Sequence, residues 1–386
     1  MVRKKICIVA TSPFPILVFM REHVLQLSKT YHITLICSGD GSELTSMLSS
    51  EVLFISLEIE RKVSLLSDFL ALFSLVRLFK QQRFDCVHSL MPKSALLSML
   101  AARITNVPRR IHIFTGQVWF TKTGTARFFL KFLDKLLSWC ATHILADSPS
   151  QRAFLISENV IAPDKISVLA NGSISGVDVT RFRFDAYQRK RIRSELGITD
   201  TSVVFLYLAR LTQAKGIVDL TNSFFGVWGD MLDAHLVVVG PDEEGLAITL
   251  KDRWESCDGR VHWVDYTDRP ENYMAAADVF CLPSHREGFS LATIQAAGVG
   301  LPAIVSRIYG LTDAVRENVT GIFHKAGEVL EIQAAMKLLF CDANLRKEMG
   351  VAAQDRAYKE FSQDSLVEAM ALFYEKLFAD LVETVN

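Results

Sequence analysis

Short apolar runs rich in Val, Ile and Cys alternate along the chain with longer segments of helical periodicity. Lys5–Ala10, His32–Cys37, Val52–Ser56, Cys86–Ser89, Arg110–Phe114 and His143–Ala146 read as strands. They are apolar on both faces, as buried parallel strands are. Helix-like stretches lie between them near 18–30, 64–81, 93–104 and 126–141. Such βαβα alternation marks a doubly wound sheet. The turn-rich run Asn171-Gly172-Ser173-Ile174-Ser175-Gly176-Val177-Asp178 breaks the rhythm, and a charged segment, Arg181 to Glu195, follows. The alternation then resumes. Val203–Ala209, Leu236–Gly240, Val261–Trp263, Val279–Leu282 and Ala303–Ser306 read as strands, with helices near 215–228, 242–255, 270–277, 288–299, 328–340 and 343–358. Ser362 to Val382 reads as one or two amphipathic closing helices.

A chain of 386 residues is too long for one ordinary core. The pattern predicts an α/β protein with a first doubly wound domain over residues 1–173 and a second over 174–361. The closing segment, 362–386, is expected to pack back on the first. Half of the residues are hydrophobic and 22% are charged, which excludes a disordered chain. Residues 1–178 carry 20 Lys and Arg against 13 Asp and Glu, whereas residues 179–386 carry 22 against 30. A basic first half suits an anionic membrane surface or a phosphorylated acceptor, although an imbalance of this size also occurs on bare solvated surface. No nucleic-acid partner is expected. Cysteines 7, 37, 86, 140, 257, 281 and 341 are scattered without a CxxC pair and read as buried thiols in a reducing cytoplasm. The apolar stretch at the start is too short for a secretory signal. The longest apolar tract, Leu65 to Phe79, contains Asp68 and Arg77 and falls short of a membrane span.

Two segments carry chemistry. Leu208-Ala209-Arg210-Leu211-Thr212-Gln213-Ala214-Lys215-Gly216 lies where a strand ends and a helix begins, and its two cations can grip a diphosphate from two sides. Alone, a strand-ending Arg and a helix-start Lys are also ordinary surface. Leu282-Pro283-Ser284-His285-Arg286-Glu287-Gly288-Phe289-Ser290 repeats the strand–loop–helix context. There the N–H groups of Gly288, Phe289, Ser290 and Leu291 offer an anion site at a helix N-terminus. Glu287 either stabilises that helix end or reads sugar hydroxyls.

In order and spacing, these segments resemble the donor half of the GT-B-fold glycosyltransferases of family four. That family carries an Arg…Lys-Gly pair followed by a Glu, seven residues and a second Glu. The resemblance extends over nearly the whole chain. It includes the Asn171–Asp178 junction, Val239-Gly240-Pro241 and the Asp278–Ser284 strand. Phe114-Thr115-Gly116-Gln117-Val118-Trp119 and Ala146-Asp147-Ser148-Pro149-Ser150 are similar to the bacterial members that build capsule and O-antigen. The resemblance implies two Rossmann-like domains facing across a cleft. It further implies retaining transfer of a sugar from a nucleotide-sugar donor, first of all a UDP-sugar, to a lipid-linked saccharide acceptor. Arg210 and Lys215 would bind the diphosphate, and Glu287, with the 288–291 amides, the transferred sugar. Gly240 would line the nucleotide pocket, and Tyr266 would flank the base.

Two positions depart from the family pattern. Gln295 stands where the second Glu should be; its carbonyl keeps the geometry for ribose hydroxyls without charge assistance, at a cost of ~1 kcal/mol in nucleotide affinity. Gln295→Ala is therefore expected to weaken UDP or GDP binding, and Gln295→Glu to preserve or strengthen it. Thr115 stands where many relatives place a His, so the group that receives the acceptor's proton is open. Thr115 remains a candidate hydrogen-bond donor at the reaction centre. His112, inside its strand, reads first as a core imidazole. After the first strand, Thr11-Ser12-Pro13-Phe14-Pro15-Ile16 replaces the family's glycines with prolines and reads as a stiff loop shaping the acceptor pocket.

No Asp-x-Asp occurs, so no metal and no other cofactor are expected. Arg127 to Leu137 has the spacing of a basic amphipathic helix, suited either to the sheet or to the cytoplasmic face of an inner membrane. Two other functions share the outline, a nucleotide-sugar epimerase and a catalytically silent sugar-nucleotide-binding partner. A nicotinamide dehydrogenase is disfavoured because no GxGxxG follows a strand.

Overall fold

The computed structural model describes residues 3–48, 51–60, 64–255, 257 and 259–383. Met1-Val2 and the last three residues of the expected closing segment lie outside them. The chain divides into one unit of Met1–Ser175 with Asp364–Asn386 and another of Gly176–Gln363.

The first unit holds seven parallel strands: β1 (Lys5–Val9), β2 (His32–Cys37), β3 (Leu53–Ser56), β4 (Cys86–Ser89), β5 (Arg109–Phe114), β6 (His143–Ala146) and β7 (Ile166–Val168). Their order is β3-β2-β1-β4-β5-β6-β7. Helices cover both faces. Leu75, Phe79, Met99, Trp119 and Leu137 pack on one side; Ile8, Met20, Val24, Leu366, Met370 and Tyr374 pack on the other. Burying each such side chain contributes about 1.5–3 kcal/mol. The last three belong to a single closing helix, Gln363–Glu383. It is anchored in this unit where the Tyr374 hydroxyl meets Nδ1 of the buried His88 at 2.6 Å.

The second unit holds six parallel strands: β8 (Val203–Leu208), β9 (Ala234–Val239), β10 (Val261–Val264), β11 (Val279–Leu282), β12 (Ala303–Ser306) and β13 (Gly321–His324). Their order is β10-β9-β8-β11-β12-β13. The chain therefore reverses direction across the sheet between β8 and β11, and ligands of open α/β sheets bind at the carboxyl ends of strands at such a point. The charged segment 181–195 contains a helix, Ala186–Glu195, capped by Asp185. Arg189 and the fully buried Arg193 both bind the carboxylate of Asp278, at 2.7 and 2.6 Å. Its charges thus fix the base of the sheet.

The structure corrects several expectations. Thr11–Ile16 is no stiff loop: Pro13–Pro15 opens a helix, continued by a π-helical turn over Ile16–Met20 and an α-helix over Arg21–Ser28. Proline's fixed φ suits the first turn of a helix, where its missing N–H costs nothing. β7 and β13 were too short or too polar to be read as strands. The helices Ser42–Met47 and Pro149–Ser157 are further elements that the apolar pattern does not predict. The helix placed at 288–299 spans Leu291–Val299, with Ser290 as its cap. Six cysteines are buried, but Cys341 is exposed.

Candidate functional site

The loops after β8 and β11 meet beside the β8/β11 reversal. The turn at Lys215-Gly216 needs glycine twice over. Gly216 has φ +72°, and a Cβ there would stand 2.0 Å from the Pro283 carbonyl oxygen. The His285 N–H donates to the Ala214 carbonyl at 2.9 Å, and the His285 ring meets Asp219, one turn into the next helix, at 2.7 Å. The two loops are thereby stitched together by main chain and side chain.

That stitching brings Lys215 and Glu287 into contact, with Nζ 2.6 Å from Oε1. Glu287 is only 7% exposed. The hydroxyl of the buried Ser284 donates to the same Oε1 at 2.8 Å. Arg210 is exposed and pairs with Glu243 at 2.6 Å. Its carbonyl accepts from the hydroxyl of the buried Tyr207 at 2.9 Å, so the backbone is held while the guanidinium reaches outward. Both cations of the expected diphosphate grip therefore already hold carboxylates. Tyr207, Ser284 and Asp219 were not among the expected site residues. Only a polar side chain inside or beside an apolar strand could have signalled the first two.

Gly240, at φ +146°, has the Ala209 carbonyl oxygen 2.0 Å from where a Cβ would be. Its place is thus set by the crossing of the β8 and β9 ends. The loop after it covers the Arg210 segment, since Glu244 accepts the Gln213 N–H at 2.9 Å. The Ser290 hydroxyl accepts from the Thr293 N–H and hydroxyl, which holds it as the cap of the helix that begins at Leu291. Phe289 packs on Phe361. Gly288 is buried and, like Phe289, lies in the loop before the helix rather than in its first turn. Gln295 lies one turn beyond Leu291, half-buried, with no hydrogen-bond partner among the described residues. Tyr266, just past the edge strand β10, is 64% exposed.

Thr115 belongs to the other unit. It follows β5, and its carbonyl accepts from Gln117 at 2.8 Å and from Gln151 at 2.7 Å. Gln151, fully buried, also takes the Asp147 N–H at 2.7 Å, tying the ends of β5 and β6 together. The Thr115 hydroxyl has no partner among the described residues. His112 is 2% exposed, with Nδ1 3.0 Å from the Ser89 hydroxyl. Burial drives its pKa down to about 3, so it is a neutral core imidazole.

Among the described residues, no cluster of three or more His, Cys, Asp or Glu is arranged to hold a metal, and no helix is long and apolar enough to cross a membrane. In the helix Gly124–Cys140, Arg127 and Lys131 both pair with Glu158, while Phe128, Phe129 and Phe132 are exposed. The helix Leu65–Gln82 exposes Leu65, Leu66, Phe69, Leu70 and Phe73.

Two parallel Rossmann-type units, the second with paired cations and a buried carboxylate at its topological switch, define the GT-B class. Family models agree: residues 188–356 match "Glycosyl transferases group 1" and residues 20–172 match the "Glycosyl transferase 4-like domain". The chain belongs to the GT-B glycosyltransferases of family four. Among its relatives is a capsular polysaccharide biosynthesis glycosyltransferase, CapM, of Staphylococcus aureus, 29% identical over 92% of this chain and 93% of the relative. Another is the UDP-Gal:alpha-D-GlcNAc-diphosphoundecaprenol alpha-1,3-galactosyltransferase of Escherichia coli, 29% identical over 81% of each. The solved Anabaena protein HepE, in complex with UDP and glucose, shares the fold at a TM-score of 0.79 and 16% identity, over 97% of this chain and all of that one.

Proposed function

We propose that this glycosyltransferase transfers a hexose or N-acetylhexosamine, with retention of configuration, from a UDP-sugar to a lipid-linked glycan during surface-polysaccharide synthesis. The observation that carries this reading is the convergence of Arg210, Lys215 and Glu287 at the β8/β11 reversal. Cations there can neutralise the negative charge that grows on a leaving nucleoside diphosphate. The bond from the sugar's anomeric carbon to the phosphate oxygen breaks as the acceptor oxygen bonds to the same face of that carbon. The acceptor's proton passes to the departing diphosphate. Glu287 orients the sugar through its hydroxyls, Gln295 receives the ribose, Tyr266 flanks the base, and Thr115 donates a hydrogen bond at the acceptor side. Charge neutralisation by Arg210 and Lys215 does not call for a metal. The UDP-galactose and diphosphoundecaprenol in the name of the Escherichia coli relative and the UDP held by HepE support the choice of donor and acceptor.

The same reading puts the enzyme on the cytoplasmic face of the membrane. The apolar residues along the helices Leu65–Gln82 and Gly124–Cys140 support it, because an exposed apolar stripe beside basic residues suits a lipid interface. The test is incubation of the protein with UDP-hexoses and a lipid-diphosphate-linked sugar, in the presence of EDTA. An axial product from an axial donor, by NMR of the anomeric proton, is expected. An inverted product, or activity restored only by added metal, contradicts the respective part of the proposal. Failure to sediment with anionic liposomes at low salt contradicts the membrane part.

A further inference from the structure

Between the stitched positions of the β11 loop lies an arginine that the family pattern leaves without a role. Arg286 is flanked by His285, whose N–H is tied to Ala214, and by Glu287, whose carboxylate is tied to Lys215 and Ser284. Its backbone is therefore fixed on both sides. Its side chain is half-buried, yet it makes no hydrogen bond and no ion pair with any described residue. Arg210 has Glu243, Lys215 has Glu287, Arg189 and Arg193 share Asp278. Arg286 has no such partner. A half-buried guanidinium with five N–H donors, none of them sealed from solvent without a partner, is open to an acceptor that reaches the loop. Burial is the first cause that depresses its pKa and the nearby Arg210 charge adds to it, against opposing pulls from Tyr309 and Glu287. Arg286 thus adds a third cation to the loop that already carries the Lys215–Glu287 pair, and among the described residues it alone of these cations makes no ion pair.

We infer that Arg286 is a third cation of the donor site and binds an anionic oxygen group of the nucleotide-sugar itself. This rests on the reading of the β8/β11 loops as the donor site. Two groups offer that chemistry, the non-bridging oxygens of the diphosphate and a carboxylate on the transferred sugar. A planar fork serves either one with paired hydrogen bonds. Because Arg286 forms no ion pair with any described residue, its removal leaves no carboxylate stranded. The unliganded fold should be about as stable as before.

The test compares wild type, Arg286→Gln, Arg286→Lys and Lys215→Ala by titration calorimetry with UDP, UDP-glucose, UDP-glucuronate and uridine, using GDP and ADP in parallel, and by thermal unfolding without ligand. Arg286→Gln is expected to weaken diphosphate ligands about tenfold, to leave uridine binding unchanged and to unfold no earlier than wild type. Arg286→Lys should recover part of the loss. Loss toward UDP itself assigns the diphosphate; loss confined to UDP-glucuronate assigns a sugar carboxylate. Either supports the inference. If Lys215→Ala loses UDP while Arg286→Gln binds both UDP and UDP-glucuronate like wild type, the inference fails and the donor site stands. If wild type binds no nucleoside diphosphate, the donor-site reading itself fails. An Arg286→Gln protein that unfolds early, does not fold, or loses uridine equally shows a structural role and overturns the inference.

Discussion

The loops at the ends of β8 and β11 and those at the ends of β5 and β6 solve one problem in two ways. Each pair holds main chain away from regular hydrogen bonding at the carboxyl edge of a parallel sheet. In the second unit the fastening is ionic: Lys215 to Glu287, Arg210 to Glu243, His285 to Asp219. In the first it is neutral, with Gln151 bridging Thr115, Gln117 and Asp147 and His112 uncharged against Ser89. Charges that pair within the protein can exchange partners with a diphosphate. Neutral amides and hydroxyls suit a substrate that presents only hydroxyl groups.

The largest expected effect comes from breaking the ionic fastening at its buried point. Lys215→Ala removes a cation proposed to bind the diphosphate and leaves the buried Glu287 carboxylate with Ser284 as its hydrogen-bond donor among the described residues, a loss of the kind that costs about 3–5 kcal/mol. A fall in kcat/KM of about 10²–10³-fold is expected in steady-state assays. An effect on stability without one on turnover would place this pair outside the reaction. Next comes the neutral region. Gln151→Ala deletes three bonds to buried groups and should cost about 2–3 kcal/mol. Denaturant titration should show that loss, while nucleotide affinity stays unchanged.

Smaller effects set the two histidines against each other in pH. His112 has a depressed folded pKa, caused by burial. The stability this contributes is present above its unfolded value near 6.5 and is lost as the pH falls toward about 3. His285 has a raised pKa, first through its hydrogen bond to Asp219. Its contribution is complete below the unfolded value and is lost as the pH rises through the folded one. Unfolding curves from pH 4 to 8.5 should lose part of their acid slope in His112→Asn and part of their alkaline slope in His285→Asn. Slopes changed with the opposite signs would contradict the assigned charge states. The smallest effect belongs to the exposed pair. Glu243→Gln frees Arg210 and should tighten UDP binding about two- to fivefold, in keeping with the small worth of surface ion pairs.

Much of this was legible from patterning alone. The strands buried on both faces stood out because their apolar residues run on with only a few polar residues, such as Thr34 and His112, among them. The Arg210, Lys215 and Glu287 loops stood out because glycine follows Lys215 and Glu287 where a strand gives way to a helix. What stayed hidden depends on neighbours far away in sequence. Gly321 begins a strand because β13 passes too close to the Ala303 carbonyl for any Cβ, which no local run could signal. Pro13 and Pro15 read as loop formers, and only the helix that follows shows them to be its first turn. The carboxylates opposite Arg210 and Lys215 were likewise unseen as partners, since Glu243 lies 33 residues away and Glu287 lies 72.

The central claim is that the β8/β11 loops hold the donor's diphosphate through Arg210 and Lys215. It is tested most directly by calorimetric titration of UDP into wild type and Lys215→Ala over a range of salt concentrations. The account expects wild-type affinity to fall as salt rises and the variant to bind at least about a hundredfold more weakly. Equal, salt-independent binding of UDP by both proteins would contradict it.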